Sequence, residues 1–309
     1  MTLQLFAQDE IKKEKKRYER FKEKNISKTY PASGNTLTIE SRFGDVVVST
    51  WDKNEIKVDI HIEASSTDKE VAEKTFERLG VKDKQEGKDI NFTTTIENFN
   101  IRCDNCKNTM RVDYDIHMPS SNALNIKNSF GDITVPDYNG NISLTSSYGS
   151  LTAGKLSHLE KLDVGFGKVN LKNLNNTDIT FRYTTITIDN LSGNTKMKMQ
   201  FCPYSKITLA NDLSSLTVDA NYSTIHLQPP VNFSASYDVS TRYGSLIDKT
   251  DADIKRTDAP EQYGPDLNKH YEGKSGSGSA KITIRSSFGS VMIGEGTKDD
   301  MKEKKKVKS

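Results

Sequence analysis

The residues with chemistry to offer are few and lie far apart. Cys103-Asp104-Asn105-Cys106 is a C-x-x-C, the spacing of half a zinc ribbon or of a dithiol redox centre. A zinc ribbon needs a second pair or histidine partners, and the only other cysteine is Cys202. A redox dithiol wants its first cysteine at a helix N-terminus, whereas both flanks here read as strand. The flanks favour a tight turn closed by a local Cys103–Cys106 disulfide, with free thiols second and redox catalysis last.

His61, His117, His158, His226 and His270 are scattered. Cleavage of a glycan needs paired carboxylates on one face. Asp137, Asp163, Asp178 and Asp189 align in no single column and read as turn caps and solubilising charge. No G-x-S-x-G, Walker or zincin pattern occurs, and Gly276-Ser277-Gly278-Ser279 reads as a flexible loop. No catalytic residue, cofactor or metal site is assigned, and the chain is expected not to be an enzyme.

The elements that carry these residues announce themselves by repetition. An aromatic turn recurs at Phe130-Gly131, Tyr148-Gly149, Phe166-Gly167 and Tyr183-Thr184, continues at Tyr204, Tyr222 and Tyr243-Gly244, and returns at Phe288-Gly289. Phe43-Gly44 is an early outlier. Four residues before the aromatic stand Ile39, Ile126, Leu144, Leu162, Ile179, Val218, Val239 and Ile284. Three after it stand Val46, Ile133, Leu151, Val169, Ile186, Ile207, Ile225, Leu246 and Val291, and five after it a second, nearly all apolar column. Between those two columns lie Thr134, Thr152, Asn170, Thr187, Thr208 and His226. Alternation with period two marks short strands with one buried face.

Stacking such units predicts an all-β fold, a right-handed parallel β-solenoid (β-helix) of roughly 18-residue rungs. The aromatics share parity with the inward column before them, so an internal aromatic stack is expected at one corner. The glycine after each aromatic is expected to supply the positive φ of the turn.

Four regions follow. Residues 1–28 read as the remnant of an export signal, or an ordinary N-terminus, followed by a charged, helical-looking run from Lys12 to Lys24. Residues 29–120 read as a small N-terminal α+β cap, with a helix opened at Thr67-Asp68 and stopped at Gly80. Ile90 to Ile101 and Met110 to Met118 read as a hairpin within it. Residues 121–293 are the repeat region, with an inserted loop at 248–279, and 294–309 form a basic tail. The loop carries Tyr263, His270 and Tyr271, and long loops in compact folds are often binding sites or disordered.

Forty-four basic against forty-two acidic residues leave a charge of +2, which argues against a dedicated nucleic-acid binder. No apolar run is long enough to serve as a transmembrane segment. The outward Thr, Asn and Ser, with Arg42, Arg182, Arg242 and Tyr138 nearby, could hydrogen-bond a glycan and are also ordinary for an exposed sheet.

Tyr30-Pro31-Ala32-Ser33-Gly34-Asn35, Ser41-Arg42-Phe43-Gly44-Asp45-Val46, Trp51-Asp52-Lys53-Asn54-Glu55-Ile56 and Asn128-Ser129-Phe130-Gly131-Asp132-Ile133 resemble the "putative adhesin" family of Bacteroidetes-type bacterial β-solenoid proteins. The resemblance spans about residues 29 to 293. It implies an exported protein, periplasmic, outer-membrane-associated or at the cell surface, with no established catalytic residues. Its implied partner is an unknown protein or glycan at the cell envelope. Two departures stand out: Phe201-Cys202-Pro203, where a bulge is expected because proline cannot donate to a ladder, and the insertion from Asp248 to Ser279.

Overall fold

Alternating apolar and polar residues build a mainly β protein with one short helix, seen in a computed structural model that describes residues 17–97, 103, 105–261 and 263–301. In chain order come β1 (Arg20–Pro31), β2 (Thr36–Arg42), β3 (Val46–Thr50), β4 (Glu55–Ser66), α1 (Lys69–Glu77), β5 (Leu79–Glu86) and β6 (Asp89–Ile96). Then follow β7 (Asn108–Met118), β8 (Ala123–Ser129), β9 (Ile133–Val135), β10 (Tyr138–Ser147), β11 (Leu151–Gln200), β12 (Ser205–Asn221) and β13 (Ile225–Gln228). The last are β14 (Ala235–Arg242), β15 (Ser245–Lys249), β16 (Lys255–Arg256), β17 (Asn268–Ser275), β18 (Ala280–Ser287) and β19 (Ser290–Gly294).

These strands join in one large mixed sheet, mostly parallel. Before each aromatic, β2 pairs in register with β8, β8 with β10 and β10 with β11. After it, β3 pairs with β9, β9 with β11 and β12 with β13. The apolar columns read from the sequence are the core: Ile39, Ile126, Leu144, Leu162, Ile133, Leu151 and Val169 are at most 1% exposed.

The corners depart from expectation in three ways. First, the rings point outward. Phe43 is half-buried, and Phe130, Tyr148, Phe166, Tyr183, Phe201, Tyr222, Phe288 and Tyr243 are 43% to 53% exposed. They form one external ladder in that spatial order, neighbouring centroids 4.6–4.9 Å apart and planes within 7°. Each ring buries its faces on its neighbours while its edge meets water, so the stack needs no interior. Second, the positive φ belongs to the aromatic, 64° at Phe130 and 59° at Tyr148, and not to the glycine after it. Glycine follows because the corners touch: a Cβ on Gly131 would strike the carbonyl oxygen of Gly44, and one on Gly149 that of Gly131. Gly167, Gly244 and Gly289 meet the same obstacle.

Third, Tyr204 is not a corner. Phe201 takes its place, and Ser205, not Ile207, aligns with Ile186 and Ile225. One extra residue separates ring from strand here, the irregularity expected at Pro203. Two aromatics three residues apart offered two registers, and only the pairing of neighbouring layers chose between them.

Chain order also fails at the far end. β18 pairs with β12 on one side and β14 on the other, and β19 likewise lies between β13 and β15. The layer of Tyr243 is therefore laid down first at a distance, and the layer of Phe288 fills the gap. β17 then adds antiparallel to β14, with β16 beyond it.

At the other end β7 pairs parallel with β3 and antiparallel with β4, which carries β1 at its outer edge. β6 pairs with β2 and β5, so the two segments expected to form a hairpin run on different limbs. Residues 20–24 of the expected helical run are strand, and the rest of the expected export-signal segment up to residue 16 lies outside the described residues, as does Ile101. In α1, Asp68 caps the N-terminus by accepting from the Val71 N–H, and Val71, Ala72 and Thr75 are buried. Leu79 and Gly80, read as helix end, begin β5 instead.

Candidate functional site

Among the described residues, this stacking builds a groove and a cleft that stand out. The first is a groove of about 590 Å³ across the strands that follow the corners, lined by Thr152, Asn170, Thr187, Asp137, Lys172 and Asp189 among others. Thr152, Asn170 and Thr187 each stand four residues after an aromatic, so the repeat itself lines up their polar groups on successive layers. The parallel sheet beneath is rigid because Leu151, Val169, Leu171, Ile186 and Ile188 are buried directly below. Asp137 is partly spent, since its Oδ1 accepts the Lys155 N–H at 2.8 Å. Asp132 links layers in the same way, accepting the Ser150 N–H at 2.7 Å, and Asp163 pairs with Arg182 one layer away. Asp132, Asp137 and Asp163 thus tie layer to layer.

The second surface is a cleft of about 290 Å³ beside the insertion, lined by Ser240, Arg242, Asp258, Lys269, His270 and Arg285 among others. Arg256 organises this end. Its guanidinium reaches Asp258 at 2.6 Å and Asp266 at 2.7 Å, closing the loop between them. Arg256 holds both carboxyls below the usual range, and the His270 N–H adds to the effect at Asp258. The closed loop leaves Tyr263 85% exposed. His270 Nδ1 lies 3.1 Å from the Ser240 hydroxyl, while Tyr271 packs partly against the core. The insertion is thus a β-ribbon with a clamped loop, a structure the glycine-serine pattern of its end did not reveal.

Of the other candidates, Cys103 and Cys106 are joined as a disulfide, and Cys202 is buried under the Phe201 corner, where burial pushes its thiol pKa up. Tyr138, expected on the surface, is fully buried and donates to the Asn122 carbonyl at 2.9 Å. His226 is buried between Tyr204 and the Gly294 carbonyl. Glu23, His61 and Glu63 cluster closely enough to suit a metal, a grouping the sequence hides because the residues meet across the β1 and β4 pair. Arg17 at 3.3 Å and Arg111 at 3.6 Å already supply cations to Glu63, so the cluster works as an ion-pair network. Among the described residues no helix is long and apolar enough to cross a membrane.

No family model and no curated protein matches this sequence. Solved structures of a "putative adhesin" class do. One from Bacteroides fragilis is 10% identical over 87% of this chain and 97% of its own, with a TM-score of 0.45. A "putative adhesin" from Parabacteroides distasonis is 10% identical over 87% and 97%, at 0.25, and a "putative lipid binding protein" from the same species is 12% identical over 88% and 97%, at 0.31. At these identities and scores none of them brings a ligand to this chain.

Proposed function

We propose that this chain is a non-catalytic, exported cell-envelope protein, a right-handed β-solenoid whose outer surface makes adhesive contacts with a glycan or protein partner. The observation that carries the reading is the groove of about 590 Å³, where Thr152, Asn170 and Thr187, each from a successive layer, stand in line on a rigid parallel sheet. Hydroxyl and amide groups at the sheet's regular spacing of about 4.8 Å suit an extended polar chain laid across the layers.

Location tests the reading. The gene, with its upstream sequence and a C-terminal tag, is expressed in its own host and intact cells are shaved with protease. Loss of the tag from intact cells is the expected result. Protection until the outer membrane is opened would favour a periplasmic interaction module, and recovery in the cytoplasm would overturn export.

A further inference from the structure

The cleft at the insertion is cationic, and the acid lining it is already engaged. Arg242 on β14 and Arg285 on β18 project from one face of neighbouring parallel strands, Arg242 opposite Ser287 and Arg285 opposite Ser240. The offset of two residues brings both guanidiniums over the same patch. Arg242 makes no ion pair among the described residues, and its Cζ rests 5.5 Å from the centroid of the Tyr243 ring. Arg285 has Asp219 at 3.8 Å, with both side chains more than half exposed, a contact worth little in water. Lys269 and His270 close the cleft from β17. Asp258 is claimed by Arg256, and His270 faces Asp238 at 3.8 Å and Glu272 at 3.2 Å. The pairing of β18 with β14 sets the two arginines side by side on neighbouring layers.

We propose that the cleft binds the anionic group of an acidic saccharide, a carboxylate or sulfate held between Arg242 and Arg285. Guanidinium forks match two-oxygen groups in geometry and charge. Ser240, Ser287 and Asn268 stand beside them to bond sugar hydroxyls. At about 290 Å³ the cleft sits at the small end of ligand sites, room for a sugar or two. The saccharide class rests on the adhesive reading above; the preference for an anion rests on the cleft alone.

The test titrates the whole protein by calorimetry with tetragalacturonate, a heparin-derived tetrasaccharide, neutral maltotetraose and inorganic sulfate. The acidic sugars are expected to bind, more weakly as salt rises, and Arg242→Gln with Arg285→Gln is expected to weaken them about tenfold or more. The thermal melt of that exposed double variant is expected to match the parent, which shows that folding is intact. Maltotetraose binding as well as tetragalacturonate, or equal affinity in the double variant, would overturn the proposal. Sulfate alone binding as tightly as the tetrasaccharides would overturn the saccharide half of it. The adhesive reading fails separately, by the protease experiment, whatever the cleft binds.

Discussion

At the scale of the residue, the aromatic corner settles a contest between backbone strain and stacking. Holding an L-residue in the left-handed region costs about 1–2 kcal/mol, and each ring in mid-ladder makes two stacks worth about 0.5–1.5 kcal/mol apiece. The two nearly balance, and this is why an aromatic can hold a place where glycine alone would be free of strain. Tyr148→Ala keeps the strain and loses both stacks, so a loss of about 1–3 kcal/mol is expected in chemical denaturation. Tyr148→Gly should be the milder change by about 1 kcal/mol, the reverse of the usual order in strands; alanine proving milder would refute the account. Gly149→Val inserts atoms where the Gly131 carbonyl lies and should cost about 3 kcal/mol or more, against little for the outward Thr187→Ala. Where the corner is Thr184, Cys202 or Ser223, the side chain turns inward and donates to a corner carbonyl, Thr184 Oγ1 to Arg182 at 2.8 Å and Ser223 Oγ to Asn221 at 2.8 Å. Cys202 should accordingly resist iodoacetamide in the native protein and react once it is unfolded.

At the scale of the element, the loop between β16 and β17 depends on one side chain. Arg256→Gln should raise hydrogen exchange across residues 257–267 with little change in the melting temperature, because the half-buried clamp lies in the insertion and is no part of the hydrophobic core. Its pH dependence has a definite sign. The carboxyls of Asp258 and Asp266 lie below their ordinary value, so the clamp contributes fully above about pH 3.9 and is lost as pH falls through the lower folded values. Protection of the loop in amide exchange should therefore persist at mildly acidic pH; loss of protection near neutrality would show that another contact holds it. The edge strands at the other end guard themselves by charge, as in β5 with Lys82, Asp83, Lys84 and Glu86 along its exposed run.

At the scale of the whole molecule, the last repeat is a keystone rather than an end cap. A chain stopped at residue 279 would leave β14 and β15 without their parallel partners and β12 and β13 with open edges. Such a truncation should unfold at much lower temperature or aggregate, whereas loss of a terminal layer from a stack in chain order would only shorten it; a soluble product melting near the parent would contradict the threading. In spatial order from Phe130 the ladder alternates Phe and Tyr without exception, and it does so only because Phe288 enters between Tyr222 and Tyr243. The sequence by itself determined the strands, the buried columns and the stacking of repeats, because period-two burial is a local property that each strand writes in its own residues. It could not say that the rings face water, since parity of position does not survive a corner whose φ is positive. Nor could it place Phe201 over Tyr204 or put the Phe288 layer before the Tyr243 layer. Those depend on which layer pairs with which, and hydrogen bonds between parallel strands are nearly indifferent to sequence. Only packing across the completed stack decides among them.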